Sequence, residues 1–118
     1  MEFVRTSTRL FLPEVVRYKM EGRSPLWRPT RHKHLVLFPT CAACGTKKQL
    51  EVHHILPFQY YPELELQLVN LMTLCEYHGC HLRVGHCYNW KAYNRHAIED
   101  AARELQRIAE RITTRLAA

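Results

Sequence analysis

The sequence predicts a small α+β domain assembled around bound metal, with a long helix at its C-terminal end. Three observations carry this prediction. Cysteines and histidines fall into two groups: Cys41 and Cys44 first, then Cys75, His78, Cys80, His81 and His86. A β-prone run, Leu50-Glu51-Val52-His53-His54-Ile55, lies between them. The stretch Arg95 to Leu116 repeats apolar residues at helical spacing. A chain of 118 residues suits one domain with a modest core, so residues 1–118 are read as a single unit.

Residues 1–23 are expected to form a basic N-terminal arm or helix. Leu12, Val15, Val16 and Met20 are spaced for a short helix, and Pro13 suits a first turn. Residues 24–94 are expected to form the metal-bound core. Ser24-Pro25 has the composition of a helix start; Leu26, Trp27, His34, Leu35 and Phe38 follow at rough helical spacing, and Pro39 closes the segment. Cys41-Ala42-Ala43-Cys44-Gly45 reads as a zinc knuckle, with Gly45 supplying the positive φ that lets backbone turn around an ion. Leu50 to Ile55 is a short strand ended by Pro57. A loop with one helical turn near Pro62 to Leu66 returns the chain through Asn70 to Leu74, and His81 to Val84 begins a short helix interrupted at Gly85. In residues 95–118, Ile98, Ala101, Ala102, Leu105, Ile108, Ala109, Ile112 and Leu116 form one apolar stripe, expected to pack on the metal core, with Asn94 as N-cap. Arg103, Arg107, Arg111 and Arg115 line another face, suited either to solvent or to a phosphate backbone.

Lysine and arginine number 17 against 11 acidic residues, giving a formal charge of +6 and a pI near 9.3. That balance favours a polyanionic partner such as nucleic acid. No apolar stretch approaches membrane-spanning length, and no signal peptide is visible. Five cysteines, an odd number, interspersed with histidines argue for zinc rather than a disulfide framework. A reducing, cytoplasmic setting is therefore expected.

Tetrahedral zinc takes four Cys or His ligands, usually as two pairs brought together by the fold. Cys41 and Cys44 form one pair. The second comes from Cys75, His78 and Cys80: Cys75 with Cys80 is preferred, and His78 is the alternative to Cys80. Cys87 is left as a spare thiol.

His53 and His54 are adjacent on a strand, so their side chains point to opposite faces. One can hold a metal while the other works on a different atom. Phosphodiester hydrolysis needs a nucleophilic water, a base to deprotonate it, and positive charge beside the phosphoryl and leaving oxygens. Imidazole serves either as the base or as a metal ligand. Asn70 can hold the histidine loop through its amide, and His81 follows directly after Cys80.

Leu50-Glu51-Val52-His53-His54-Ile55-Leu56-Pro57, Pro62-Glu63-Leu64-Glu65-Leu66, Asn70-Leu71-Met72-Thr73-Leu74-Cys75 and Cys80-His81, behind Cys41-x-x-Cys44-Gly45, resemble the signature of the zinc-stapled HNH endonucleases, which implies a bacterial or phage-encoded protein. The resemblance covers about residues 24–94. It implies a ββα-metal, treble-clef-like core gripping one catalytic divalent ion (Mg²⁺, Mn²⁺, Ni²⁺ or Zn²⁺), separate from the structural zinc. By the same resemblance His54 is the general base, His53 and His81 are metal ligands, and Asn70 orients His54. The implied reaction is cleavage of DNA, most naturally double-stranded, to 5′-phosphate and 3′-hydroxyl ends. The chain departs from the usual Cys-x-x-Cys-His ending, because two residues are added in Cys75-Glu76-Tyr77-His78-Gly79-Cys80-His81. His86 is open: a third metal ligand, a phosphate contact or an ordinary histidine. Arg28, Arg31, Lys33, His86 and Lys91 are the candidate nucleic-acid contacts. Trp90 and Tyr93 can stack on splayed bases or cement the last helix. A catalytically inactive, zinc-stabilised nucleic-acid-binding module is the alternative to a nuclease.

Overall fold

The computed structural model describes residues 23–118. The expected N-terminal arm or helix falls on residues 1–22, outside the described residues apart from Arg23. The described chain runs α1 (Trp27–Leu37), β1 (Leu50–His54), two single 3₁₀ turns (Pro62–Leu64 and Leu68–Asn70), β2 (Leu71–Cys75), a π-helical turn (His81–Gly85) and α2 (Ala97–Ala117). It is an α+β fold: a two-stranded antiparallel sheet, flanking helices and a cysteine cluster.

β1 and β2 pair with Leu50 opposite Cys75 and His54 opposite Leu71. The ladder is extended at both ends, by Ile55 N–H to the Asn70 carbonyl and by Glu76 N–H to the Gln49 carbonyl. β2 is buried along its whole length, which explains its continuous apolar run, broken only by Thr73. The Thr73 hydroxyl donates to the Phe38 carbonyl at 2.8 Å and so ties the end of α1 to the sheet. The knuckle is held on the same side by Ala42 N–H to the Thr73 carbonyl. A lone hairpin is marginal in water. Here its core is made by Leu74, Met72, Ile55 and Val84 with Ala97 and Ala101 of α2, and the cysteines are part of it.

Several expectations about the elements shift. Gly45 has φ +81°, as the knuckle requires. α2 begins two residues later than expected. Asn94 is not its N-cap, but its Oδ1 accepts from His96 N–H and its amide donates to Val84 and Asp100. The helix after Cys80 runs through Gly85 and takes the wider π form. The largest correction concerns α2: only Ala97 and Ala101 are buried. Leu105, Ile112 and Leu116 are exposed, so the apolar stripe packs on the metal core only at its N-terminal end.

Candidate metal centres

Four cysteines converge. The Sγ atoms of Cys41, Cys44, Cys75 and Cys80 all lie within 4.8 Å of one another. Cys44 Sγ is 3.7 Å from Cys75 Sγ. Two sulfurs bound ~2.3 Å from one tetrahedral ion stand ~3.8 Å apart, so this spacing is that of two ligands. Backbone N–H groups of Ala43 and His78 donate to Cys41 and Cys75, and Arg83 donates to Cys80 at 3.4 Å. Burial and the neighbouring thiols push the Cys44 thiol up to about 11, and burial raises Cys80 as well. Cys75 moves the other way: burial raises it, but the backbone N–H groups of His78 and Cys80 and the neighbouring thiols outweigh that and lower it. A bound cation would favour the thiolate form of all four. His78 is exposed at the edge of this cluster, with Nδ1 3.3 Å from Cys44 Sγ.

Three histidines converge a few residues away. One ring nitrogen each from His53, His81 and His86 lies within 4.8 Å of the others. His81 Nδ1 is 2.7 Å from the Glu76 carboxylate, and His86 Nδ1 is 2.7 Å from the Ala92 carbonyl. Both partners only accept, so both Nδ1 atoms carry the proton and both Nε2 atoms present a lone pair. Nδ1 of His53 is 3.1 Å from Nε2 of His81. Two nitrogens on one tetrahedral ion stand ~3.3 Å apart, so the spacing fits a shared ion as well as a hydrogen bond. The other His53 nitrogen is buried without a partner among the described residues. Burial, with His81, His86 and His54 adding to it, pushes His53 down to about 3, so its ring is neutral at pH 7.

The π turn explains why His86 joins the set. Five residues of α-helix would rotate it ~140° away from His81. The wider π turn brings both rings to one side, with centroids 5.0 Å apart. Gly85 makes room: a Cβ there would sit 2.9 Å from Cε1 and 3.0 Å from Nε2 of His53. Left-handed Cys87 and Tyr88 then reverse the chain, and Trp90 lies back over His81 and His86 at 5.1 and 4.9 Å.

His54 faces the other way. Its Nε2 is 2.9 Å from the Glu65 carbonyl, which obliges Nε2 to carry the proton and leaves Nδ1 unprotonated, as an acceptor towards the Arg23 guanidinium. Burial pushes this ring down to about 4, against the Glu65 carbonyl, which raises it. Asn70 fixes the loop around it. Its Oδ1 accepts from Leu56 N–H at 2.9 Å, and its Nδ2 donates to the Leu56 and Leu64 carbonyls.

Residues 41–86 match the family model for HNH endonucleases. This segment is an HNH domain. No curated protein and no solved structure matches the chain. The matched segment opens on the first cysteine of one cluster and closes on the last histidine of the other, so the HNH domain contains both. The family is one of nucleases, and some of its members are inactive.

Two residues beside the HNH site were not singled out from the sequence. Arg23 lies outside the matched segment, yet its Nη1 is 3.5 Å from His54 Nδ1. Its guanidinium sits 5.0 Å from the Trp27 ring and 4.8 Å from that of Phe58. Glu65, whose side chain is fully buried, holds Arg23 at 3.9 Å and takes Ser24 N–H on both oxygens. Trp27 stacks on His54 with centroids 4.5 Å apart. Long-range partners of this kind leave no local signal. The basic candidates are more scattered: Arg28, Lys33 and Lys91 are exposed, whereas Arg31 pairs with Glu51 at 3.1 Å. Trp90 is exposed rather than part of the core, and Tyr93 meets Tyr60 and Tyr61 at 6.2 and 6.4 Å. Cys87 is an exposed free thiol. Among the described residues no helix is long and apolar enough to cross a membrane.

Proposed function

We propose that this chain is a metal-dependent endonuclease that hydrolyses DNA phosphodiester bonds, leaving 5′-phosphate and 3′-hydroxyl ends. One observation carries the reading. The hydrogen-bond acceptors around His54, His81 and His86 force each ring into the tautomer the chemistry needs: an unprotonated Nδ1 on the base and unprotonated Nε2 atoms on two ligands.

In this reading Cys41, Cys44, Cys75 and Cys80 hold a structural zinc, with His78 outside it. His53, His81 and His86 hold one catalytic divalent ion. Three neutral imidazoles favour a first-row ion such as Ni²⁺, Mn²⁺ or Zn²⁺ over Mg²⁺, which prefers oxygen. When bound, that ion polarises the scissile phosphate and stabilises the leaving 3′ oxygen. His54 Nδ1 takes the proton from water as the water attacks phosphorus. Its Nε2–H, held on the Glu65 carbonyl, steadies the imidazolium that results. Asn70 keeps the 56–64 loop, and so that carbonyl, in place. Arg23 places positive charge beside the base, where a non-bridging phosphate oxygen would lie. The excess of basic residues supports a duplex substrate, and the whole chain is read as one unit around the HNH domain.

The test is cleavage of plasmid DNA by the zinc-loaded protein with added Mn²⁺, Ni²⁺ or Mg²⁺, with and without EDTA. Metal-dependent nicking or linearisation is expected, and His54→Ala should lower it about 10²–10⁴-fold with the fold retained. DNA binding without cleavage under every metal would favour the inactive binding module instead.

A further inference from the structure

We infer that an aromatic cleft beside the imidazole cluster binds unpaired nucleobases, so that the substrate is duplex DNA interrupted by unpaired nucleotides next to the scissile bond. The inference rests on the nuclease reading for what the neighbouring ion does, and on the aromatic surface for what the cleft takes. Two segments of chain build it. Tyr60 and Tyr61 come from the loop after His54, and Lys91, Ala92 and Tyr93 from the chain beyond His86. Its volume is about 570 Å³, within the ~300–1,000 Å³ of ordinary ligand sites. The cleft is joined directly to the imidazoles. Ala92 lines it, and the Ala92 carbonyl accepts from Nδ1 of His86 at 2.7 Å. Trp90, one residue before Lys91, has its ring 5.1 and 4.9 Å from those of His81 and His86. A strand whose phosphate reaches the ion therefore brings its neighbouring bases to Trp90 and the cleft.

The chemistry of the surface selects the ligand. Tyr60 and Trp90 are more than half exposed, although aromatic rings of this size mostly lie in cores or interfaces. A duplex shows its grooves only the edges of its bases, whereas an unstacked base has a free π-face to lay on such rings. Tyr60 and Tyr93 stand 6.2 Å apart at 39°. That is too close to take a base between them, since each stacking contact spans ~3.4 Å, so the base rests against Tyr60 from outside. Lys91 supplies positive charge for the phosphates on either side. The Tyr61 and Tyr93 hydroxyls hydrogen-bond to each other and to Arg95, which brings a second cation to the cleft. The surface is also preformed. Asn89 N–H donates to the His86 carbonyl, Ala92 N–H to the Asn89 carbonyl and Lys91 N–H to Asn89 Oδ1, all at 2.8–2.9 Å. Little chain need be ordered on binding. Stacking is indifferent to base identity, so the cleft selects DNA structure and not sequence.

The experiment compares a duplex carrying a short single-stranded gap with the continuous duplex of the same sequence. Affinity is read by fluorescence anisotropy on the full-length, zinc-loaded His54→Ala variant with Ni²⁺, and cleavage on the parent chain. The gapped duplex should bind about tenfold tighter, the scale of one stacked base. Tyr60 is the decisive position, because it is exposed and belongs to neither metal cluster. Tyr60→Ala should remove that preference with zinc content and circular dichroism unchanged, and Tyr60→Phe, which keeps the ring, should retain it. Equal affinity for the two duplexes overturns the inference even if the parent cleaves DNA. So does a preference untouched by Tyr60→Ala, or a Tyr60→Phe variant as weak as Tyr60→Ala. A preference that follows the ring at position 60 sustains the binding site even if the parent cleaves nothing, an outcome that would instead overturn the nuclease reading.

Discussion

Nε2 of His54 stands 2.9 Å from the carbonyl oxygen of Glu65, eleven residues further along the chain. That contact decides which nitrogen of the ring is basic. It also sets the first prediction. The base acts in its neutral form, and burial holds His54 down to about 4. As pH falls, the neutral form therefore persists below the ordinary imidazole range near 6.5. Single-turnover cleavage at saturating metal should stay flat from pH 7 down to about 5.5, more than a unit above the shifted value. An acid limb centred at 6.5 would mean that His54 is not the base.

Gly85→Ala should damage the imidazole cluster without touching a ligand. The added Cβ would meet the His53 ring at 2.9–3.1 Å. Ala gains at most ~1 kcal/mol over Gly within a helical turn, while overpacking of a filled site costs about 1–3 kcal/mol. Strain wins, and its relief must move His53. Urea denaturation should show net destabilisation, and calorimetric titration should show weaker uptake of Ni²⁺ by the zinc-loaded protein. A variant as stable as the parent, with equal Ni²⁺ affinity, would show that the ring has room.

Glu76→Gln tests the carboxylate behind His81. The anion fixes the Nδ1–H tautomer and so turns the Nε2 lone pair towards the other two imidazoles. The amide can still accept that hydrogen bond but carries no charge. Affinity for the second ion, and cleavage with it, should fall about 10–100-fold. Zinc at the cysteines should be unaffected. If cleavage and affinity are both unchanged, the carboxylate has no bearing on His81.

Zinc content distinguishes Cys80 from His78. Cys80→Ala should lose the structural zinc and, with it, the folded hairpin. His78→Ala should keep zinc bound, because this residue is exposed and only flanks Cys44. Metal analysis after exhaustive dialysis, with near-ultraviolet circular dichroism, reads both. Zinc lost from His78→Ala alone would reverse the assignment.

Much of this architecture was legible in local patterns. Cysteine spacing, the alternation of a strand and the demand for a positive φ at Gly45 each act over a few residues, so each can be read directly. The same holds for His53 and His54 facing apart. His86 was harder, because its distance from His81 fits no α-helical face; only the π turn aligns the two rings, and Gly85 is the sole local hint. The pairing of Arg23 and Glu65 with His54 was hidden for a different reason. They meet His54 across thirty-one and eleven residues, and such pairings are set by tertiary packing. The stripe on α2 showed which face is apolar, but periodicity cannot tell whether the same chain covers it.

Cys80 and His81 are neighbours in the chain, one pointing to the sulfur cluster and the other to the imidazoles. A single peptide bond thus joins the two clusters. Cys75 and Glu76 repeat the arrangement: the cysteine belongs to the sulfur cluster and the carboxylate holds His81. The consequence is a sensitivity to ionic radius. A larger thiophilic ion such as Cd²⁺ would push the sulfurs apart, and the displacement would pass to His81 both through its own backbone and through Glu76. Poisoning by such a metal would then look like a failure of chemistry while the protein stayed folded.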